Sequence, residues 1–193
     1  DNISKYGKDL ICFLSILCLL SSKNYLKKNN FTFEYLIILF FSFFGLCLLL
    51  NAYDFITIYL AIELQSLAFY VLAASRKDST YSVEAGLKYF ILGSFASALL
   101  LFGMSLIYAM TGIIHLADLS LYIVNLSSSI SLNNGIYYAD QQTITIVFGL
   151  FLILSGLLFK LGAAPFHMWV PEVYEGAPIS VSMFFAVVPK VVI

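Results

Sequence analysis

ITIVFGLFLILSGLLFKLGAAPF, residues 144–166, decides how this chain must fold. From Thr145 to Phe159 there is no charge; then comes Lys160, and Pro165 follows five residues later. A helix needs about 20 apolar residues to cross a hydrocarbon core of about 30 Å. Inside lipid, every backbone group must find its partner within a helix or a closed barrel. The alternation of polar and apolar residues that marks a barrel strand is absent. The segment therefore reads as a spanning helix. Proline removes a hydrogen-bond donor and clashes with the preceding turn, so Pro165 marks a helix break near 160–165. Breaks in membrane helices often form ion or substrate sites.

The same pattern recurs on both sides of this stretch. Apolar runs at 8–22, 33–50, 55–74, 83–110 and 179–193 each read as a further span. Composition agrees: 61% of the 193 residues are hydrophobic and 11% charged, against about half and a quarter in soluble domains. A soluble fold of this size could not hide that much apolar surface. Lys and Arg number 10 and Asp and Glu 11, so the surplus of basic residues that nucleic acid would require is missing. Cys12, Cys18 and Cys47 lie in apolar runs without metal-ligand spacing and read as small hydrophobes. The run after Lys5 and Lys8 has no small-residue cleavage site and reads as a first span, not a signal peptide. The chain opens at Asp1 and stops at Ile193 inside an apolar run, which reads as a partial or split subunit.

Loop charges set an orientation. Lys23, Lys27 and Lys28 lie in one connection, and Arg76 and Lys77 in another two helices later. The turn between them, 51–54, has no basic residue, and 112–142 has only Asp118 and Asp140 as charges. The basic connections are thus expected to share the matrix or cytoplasmic face. In the 112–142 connection, 116–126 is apolar enough for an interfacial or re-entrant element, and 127–138 reads as loop.

The candidate functional residues are ionisable groups in apolar surroundings, where a mid-helix charge costs roughly 2.5–3.5 kcal/mol on insertion scales. Glu63 lies about 12 Å into its helix, too deep to reach water by extending its side chain. Lys88 lies about one and a half turns in; it reads either as an internal group or as a lysine reaching the headgroups. Lys160 sits at the expected break, and Lys190 about 18 Å beyond Pro178. His167, in the Pro165–Pro171 segment, reads either as a proton relay or as a hydrogen-bonding anchor for that loop. His115 falls near a helix end, and the pair Glu172 and Glu175 near a membrane face. No metal, phosphate-loop, dinucleotide, haem or iron–sulfur pattern occurs. The expectation from these residues is a chain of titratable groups, Glu63, Lys88, Lys160 and Lys190, carrying protons across or half across the membrane. A purely structural subunit is the competing reading, and it predicts Glu63 packed dry against Lys88.

One run of twenty residues, 159–178, FKLGAAPFHMWVPEVYEGAP, resembles the antiporter-like subunits of respiratory complex I, in particular the chain 2 type, called the N subunit in bacteria. YLAIELQSLAFYVL at 59–72 and EAGLKYFILGSFASALLLFG at 84–103 support it. The resemblance covers nearly the whole chain, more weakly before Phe33. It implies an all-α antiporter-like bundle, here the first inverted repeat with its broken helix. It maps the family's helix glutamate onto Glu63 and its successive lysines onto Lys88, Lys160 and Lys190. It implies no cofactor in this chain, with NADH, FMN, iron–sulfur clusters and ubiquinone in partner subunits, and structural phospholipids around it. The implied partners are other membrane-arm subunits, including the neighbouring antiporter-like subunit, a separate chain for the second inverted repeat, and membrane lipid. Sister chains 4 and 5 and sodium/proton antiporters usually carry a histidine-bearing segment where this chain has Val188–Pro189–Lys190, which favours chain 2. The implied site is the mitochondrial inner membrane, with a bacterial plasma membrane or plastid thylakoid as alternatives; eighteen Phe residues hint at an AT-rich organellar genome. A sodium/proton antiporter component remains a further reading.

Overall fold

A computed structural model describes residues 2–28, 33–76, 78–132 and 141–193. Lys77, Asp140 and the loop reading of 133–138 lie outside the described residues. The described chain is helical: α1 Asn2–Lys28, α2 Phe33–Leu49, α3 Phe55–Ala73, α4 Thr80–Thr111, α5 Leu116–Leu132, α6 Gln141–Leu161, α7 Trp169–Gly176 and α8 Ile179–Val192. Helices α3, α4 and α6 are long and apolar enough to cross a membrane. Their outward faces carry large apolar side chains such as Phe95, Phe102, Phe151 and Leu154, as expected where lipid replaces water. The chain is an all-α, multi-helix membrane bundle.

Helix α4 is the hub. It packs along α6, α3 and α7, while α2 lies on α3 and α1 on α8. The seam between α4 and α6 is built from small residues. A Cβ on Gly103 would stand 2.6 Å from the Gly149 carbonyl oxygen, and one on Gly156 would stand 3.1 Å from that of Ala96. In lipid, helices associate through such close backbone approach because no hydrophobic force separates them from the tails. Two apolar clusters fill the bundle. One gathers Tyr89, Trp169, Phe184 and Phe185 near the starts of α4 and α8, with the Tyr89 and Trp169 rings stacked at 4.6 Å. The other joins Phe55, Ile62, Leu100, Met104, Ile107 and Leu119.

The break of α6 falls within 160–165 but has a different cause, and the boundary of α5 differs from the expectation. Helix α6 ends at Leu161, and the residue that ends it is Gly162, left-handed at φ 67. Gly162 N–H donates to Phe159 O and Ala163 N–H to Leu158 O, both at 3.0 Å, the paired bonds of a glycine-terminated helix. Pro165 lies past that end, after a cis Ala164–Pro165 bond. Helix α5 continues to Leu132, into the stretch read as loop. Serine and asparagine lower helix propensity only modestly, so the helix already begun at Leu116 can run through them.

Candidate functional site

Lys160 is in the last turn of α6. Its Nζ donates to Ser66 Oγ at 2.8 Å, Ser97 Oγ at 3.1 Å and Tyr70 OH at 3.2 Å. An ammonium has three donors and no acceptor, so three oxygens satisfy it. The serine oxygens are free to accept because their protons go elsewhere: Ser66 Oγ donates to Ile62 O at 2.7 Å, and Ser97 Oγ to Gly93 O at 2.9 Å. Ser66 and Tyr70 are one turn apart on α3, and Gly93 and Ser97 one turn apart on α4, so each pair shares a face. A Cβ on Gly93 would overlap the Tyr70 hydroxyl; the missing side chain is what admits the phenol. The nest ties α3, α4 and α6 together at one point.

Glu63 is half-buried on α3, and its Oε1 is shut from solvent without a hydrogen-bond partner. Among the described residues it forms no ion pair with a lysine. Lys88 has two carboxylates instead, Glu84 Oε1 at 3.0 Å and Glu172 Oε2 at 2.8 Å, and its side chain is 46% exposed. The length of α4 explains this. Its 32 residues rise about 48 Å, well beyond a hydrocarbon core of about 30 Å. The first turns thus reach headgroup level, where Lys88 meets Glu172 of α7. Lys190 is exposed on α8 with Nζ 5.9 Å from the Tyr174 ring centroid. Burial pushes the Tyr174 phenol up from its ordinary value. His167 and Pro165 are exposed in the segment between α6 and α7. Trp169, which opens α7, donates from Nε1 to Phe159 O at 2.9 Å and pins α7 to the end of α6.

These positions overturn the proton path expected through Glu63, Lys88, Lys160 and Lys190. Among the described residues the buried polar side chains are serines and one glutamine, Gln65, with no lysine or glutamate. The four candidates form no buried carboxylate–lysine network of paired groups: Lys160 is answered by hydroxyls, Lys88 by surface carboxylates, and Glu63 and Lys190 enter no direct ion pair among the described residues. The dry Glu63–Lys88 pair is equally absent. Sequence reasoning missed Tyr70, Ser97 and Glu172 as partners. The signal for Tyr70 was there, four residues after Ser66 on an apolar helix; Ser97 stands one turn from Gly93 and had no such polar neighbour.

At the other end of the bundle, His115 Nδ1 stands 2.5 Å from Asp54 Oδ1. Gln142 Nε2 on α6 donates to Met110 O at 2.9 Å and to Tyr122 OH of α5 at 2.8 Å. No cluster of three His, Cys, Asp or Glu side chains suited to a metal ion occurs among the described residues.

Residues 52–193 match the family described as NADH:quinone oxidoreductase/Mrp antiporter, transmembrane. Over 192 residues the chain is 43% identical to NADH-quinone oxidoreductase subunit N of Paramagnetospirillum magneticum, covering 99% of this chain and 38% of that one. It is 41% identical to NADH-ubiquinone oxidoreductase chain 2 of Marchantia polymorpha over the same shares. It thus spans about 38% of the length of such curated relatives. Among solved structures, a chain of respiratory complex I from Thermus thermophilus superimposes with a TM-score of 0.73 at 29% identity, covering 96% of this chain and 38% of that one. A chain of the Mrp complex from a Dietzia species gives 0.71 at 21% identity, over 95% and 34%, a likeness of fold. With that match across most of its length and that bundle, the chain belongs to the NADH:quinone oxidoreductase/Mrp antiporter transmembrane family.

Proposed function

We propose that this chain is part of a structural membrane-arm subunit of a respiratory NADH–quinone oxidoreductase, of the subunit N or chain 2 type, without a proton path of its own. The observation that carries this reading is the Lys160 nest. The most enclosed lysine of the site spends all three donors on neutral hydroxyls of two neighbouring helices, which is how a polar group fastens a membrane bundle. Sequence identity near 40% with oxidoreductase subunits favours that assembly over an Mrp antiporter, for which the likeness is of fold.

In this reading NADH, FMN, iron–sulfur clusters and ubiquinone belong to partner subunits. The outward apolar faces meet lipid, the neighbouring antiporter-like subunit, and a further part of the same subunit or a separate chain carrying the second inverted repeat. The mitochondrial inner membrane is the proposed compartment. The test is the assembled complex in native membranes carrying Lys160→Met or Glu63→Gln. Fewer assembled complexes with an unchanged ratio of protons moved to NADH oxidised is the expected outcome. A lowered ratio in normally assembled complexes overturns the reading.

A further inference from the structure

Gly176, at the end of α7, sits against the first turns of α4: a Cβ on it would stand 2.8 Å from Tyr81 O. Helix α8 therefore starts near headgroup level and runs inward. The Phe185 ring lies 4.4 Å from that of Phe69 on α3, and Phe184 and Val188 are buried. Lys190 follows about 16 Å beyond Ile179. That places it level with the middle of α3 and about halfway across a hydrocarbon core of about 30 Å. It is nevertheless exposed. Ile179, Met183, Val187 and Val191, spaced by four, are exposed on the same side of α8. A full charge thus stands on an apolar outward face.

Lys160 has three oxygens for its three donors. Among the described residues no oxygen accepts from Lys190 Nζ, and its close neighbour is the Tyr174 ring, with the centroid 5.9 Å away. An aromatic face at that distance meets only part of an ammonium charge and leaves its three donors unused. Lipid tails supply no acceptor, and ionisable side chains at this depth almost always face protein and pair there.

We propose that the outward face of α8 is a docking surface for a partner transmembrane helix that brings an Asp or Glu side chain to Lys190. The apolar line gives the partner helix its contact, and the ammonium sets the depth and the chemistry of the group it must carry. On an open face, the single side chain that answers the whole charge is a carboxylate. The Tyr174 ring holds the ammonium from the other side. This rests on the reading of the chain as part of a membrane-arm subunit and names the chemistry of one of its contacts.

The test uses the assembled complex from native membranes, isolated through its NADH-oxidising activity. Failure of the chain to co-purify with that activity removes the membrane-arm reading and this inference with it; the cross-link bears on the docking face alone. A membrane-permeant carbodiimide activates a carboxyl group, takes its oxygen away as a urea, and leaves an amide where a lysine nitrogen is in contact. The pairs of Lys88 with Glu84 and Glu172 are the internal control. The expected product joins Lys190 to an Asp or Glu of an apolar segment. It should vanish in Lys190→Arg with assembly retained, because the guanidinium still pairs but does not form the amide. Lys190→Met leaves the partner carboxylate unpaired and should lower the yield of assembled complex about threefold or more. A cross-link at Lys88 with none at Lys190, a product joining Lys190 to a phospholipid phosphate, or normal assembly of Lys190→Met overturns the docking face.

Discussion

Lys160 and Lys88 are lysines on apolar helices, and the fold treats them in opposite ways. Lys160 is enclosed between three helices and meets only hydroxyls. Lys88 is exposed and meets two carboxylates. The carboxylates are found where water and headgroups already stabilise charge. Inside the bundle, neutral oxygens suffice because each can accept while its own proton goes to a helix carbonyl. A lysine on a spanning helix therefore does not by itself imply a buried carboxylate partner; its depth and the small polar residues across the seam say more.

The sharpest way to break the contrast is Lys160→Ala. It deletes three interhelical bonds and leaves Ser66, Ser97 and Tyr70 facing a void. The expected cost is about 2 kcal/mol or more, read as a lower unfolding midpoint of the purified chain in nanodiscs. Gly93→Ala should act next. The new methyl must push the Tyr70 hydroxyl aside, an overpacking of about 1–2 kcal/mol; adding Tyr70→Phe, which removes the displaced oxygen, should return part of it in a double-mutant comparison. Glu172→Gln should have the smallest effect. Its ion pair is exposed and still leaves Glu84 on Lys88, so the midpoint should barely move, and what little moves should vanish at high salt. A Glu172→Gln loss as large as that of Lys160→Ala would erase the distinction between the two lysines.

Much of this was legible in the sequence. Hydropathy and length are enough to place α3, α4 and α6, because lipid leaves a backbone few alternatives. The depth arguments for Glu63 and Lys190 likewise need only a rise per residue, but they say nothing of the face, and Lys190 is exposed on α8. What the sequence withheld is angular. Glu63 is internal by position and Lys88 reads either way by position, and only the packing of α4 against α7 turns Lys88 outward to Glu172. The ending of α6 was assigned to Pro165, the stronger breaker by propensity. Gly162 acts first because its left-handed backbone completes the paired capping bonds three residues earlier. Helix α7 has no signal of its own at eight residues; it exists by leaning on α4 and by the Trp169 bond to α6.

The glycine that ends α6 has an electrical consequence as well. Carbonyl dipoles aligned along a helix sum to roughly half a negative charge at its C-terminal end. Gly162 fixes that end one turn or less beyond Lys160, so the ammonium sits in the field of its own helix. No carboxylate among the described residues pairs directly with it, and part of its counter-charge is supplied by the backbone. A glycine at 162 thereby decides where the negative pole of α6 falls, and with it how a lysine without a directly paired carboxylate can be accommodated among apolar helices.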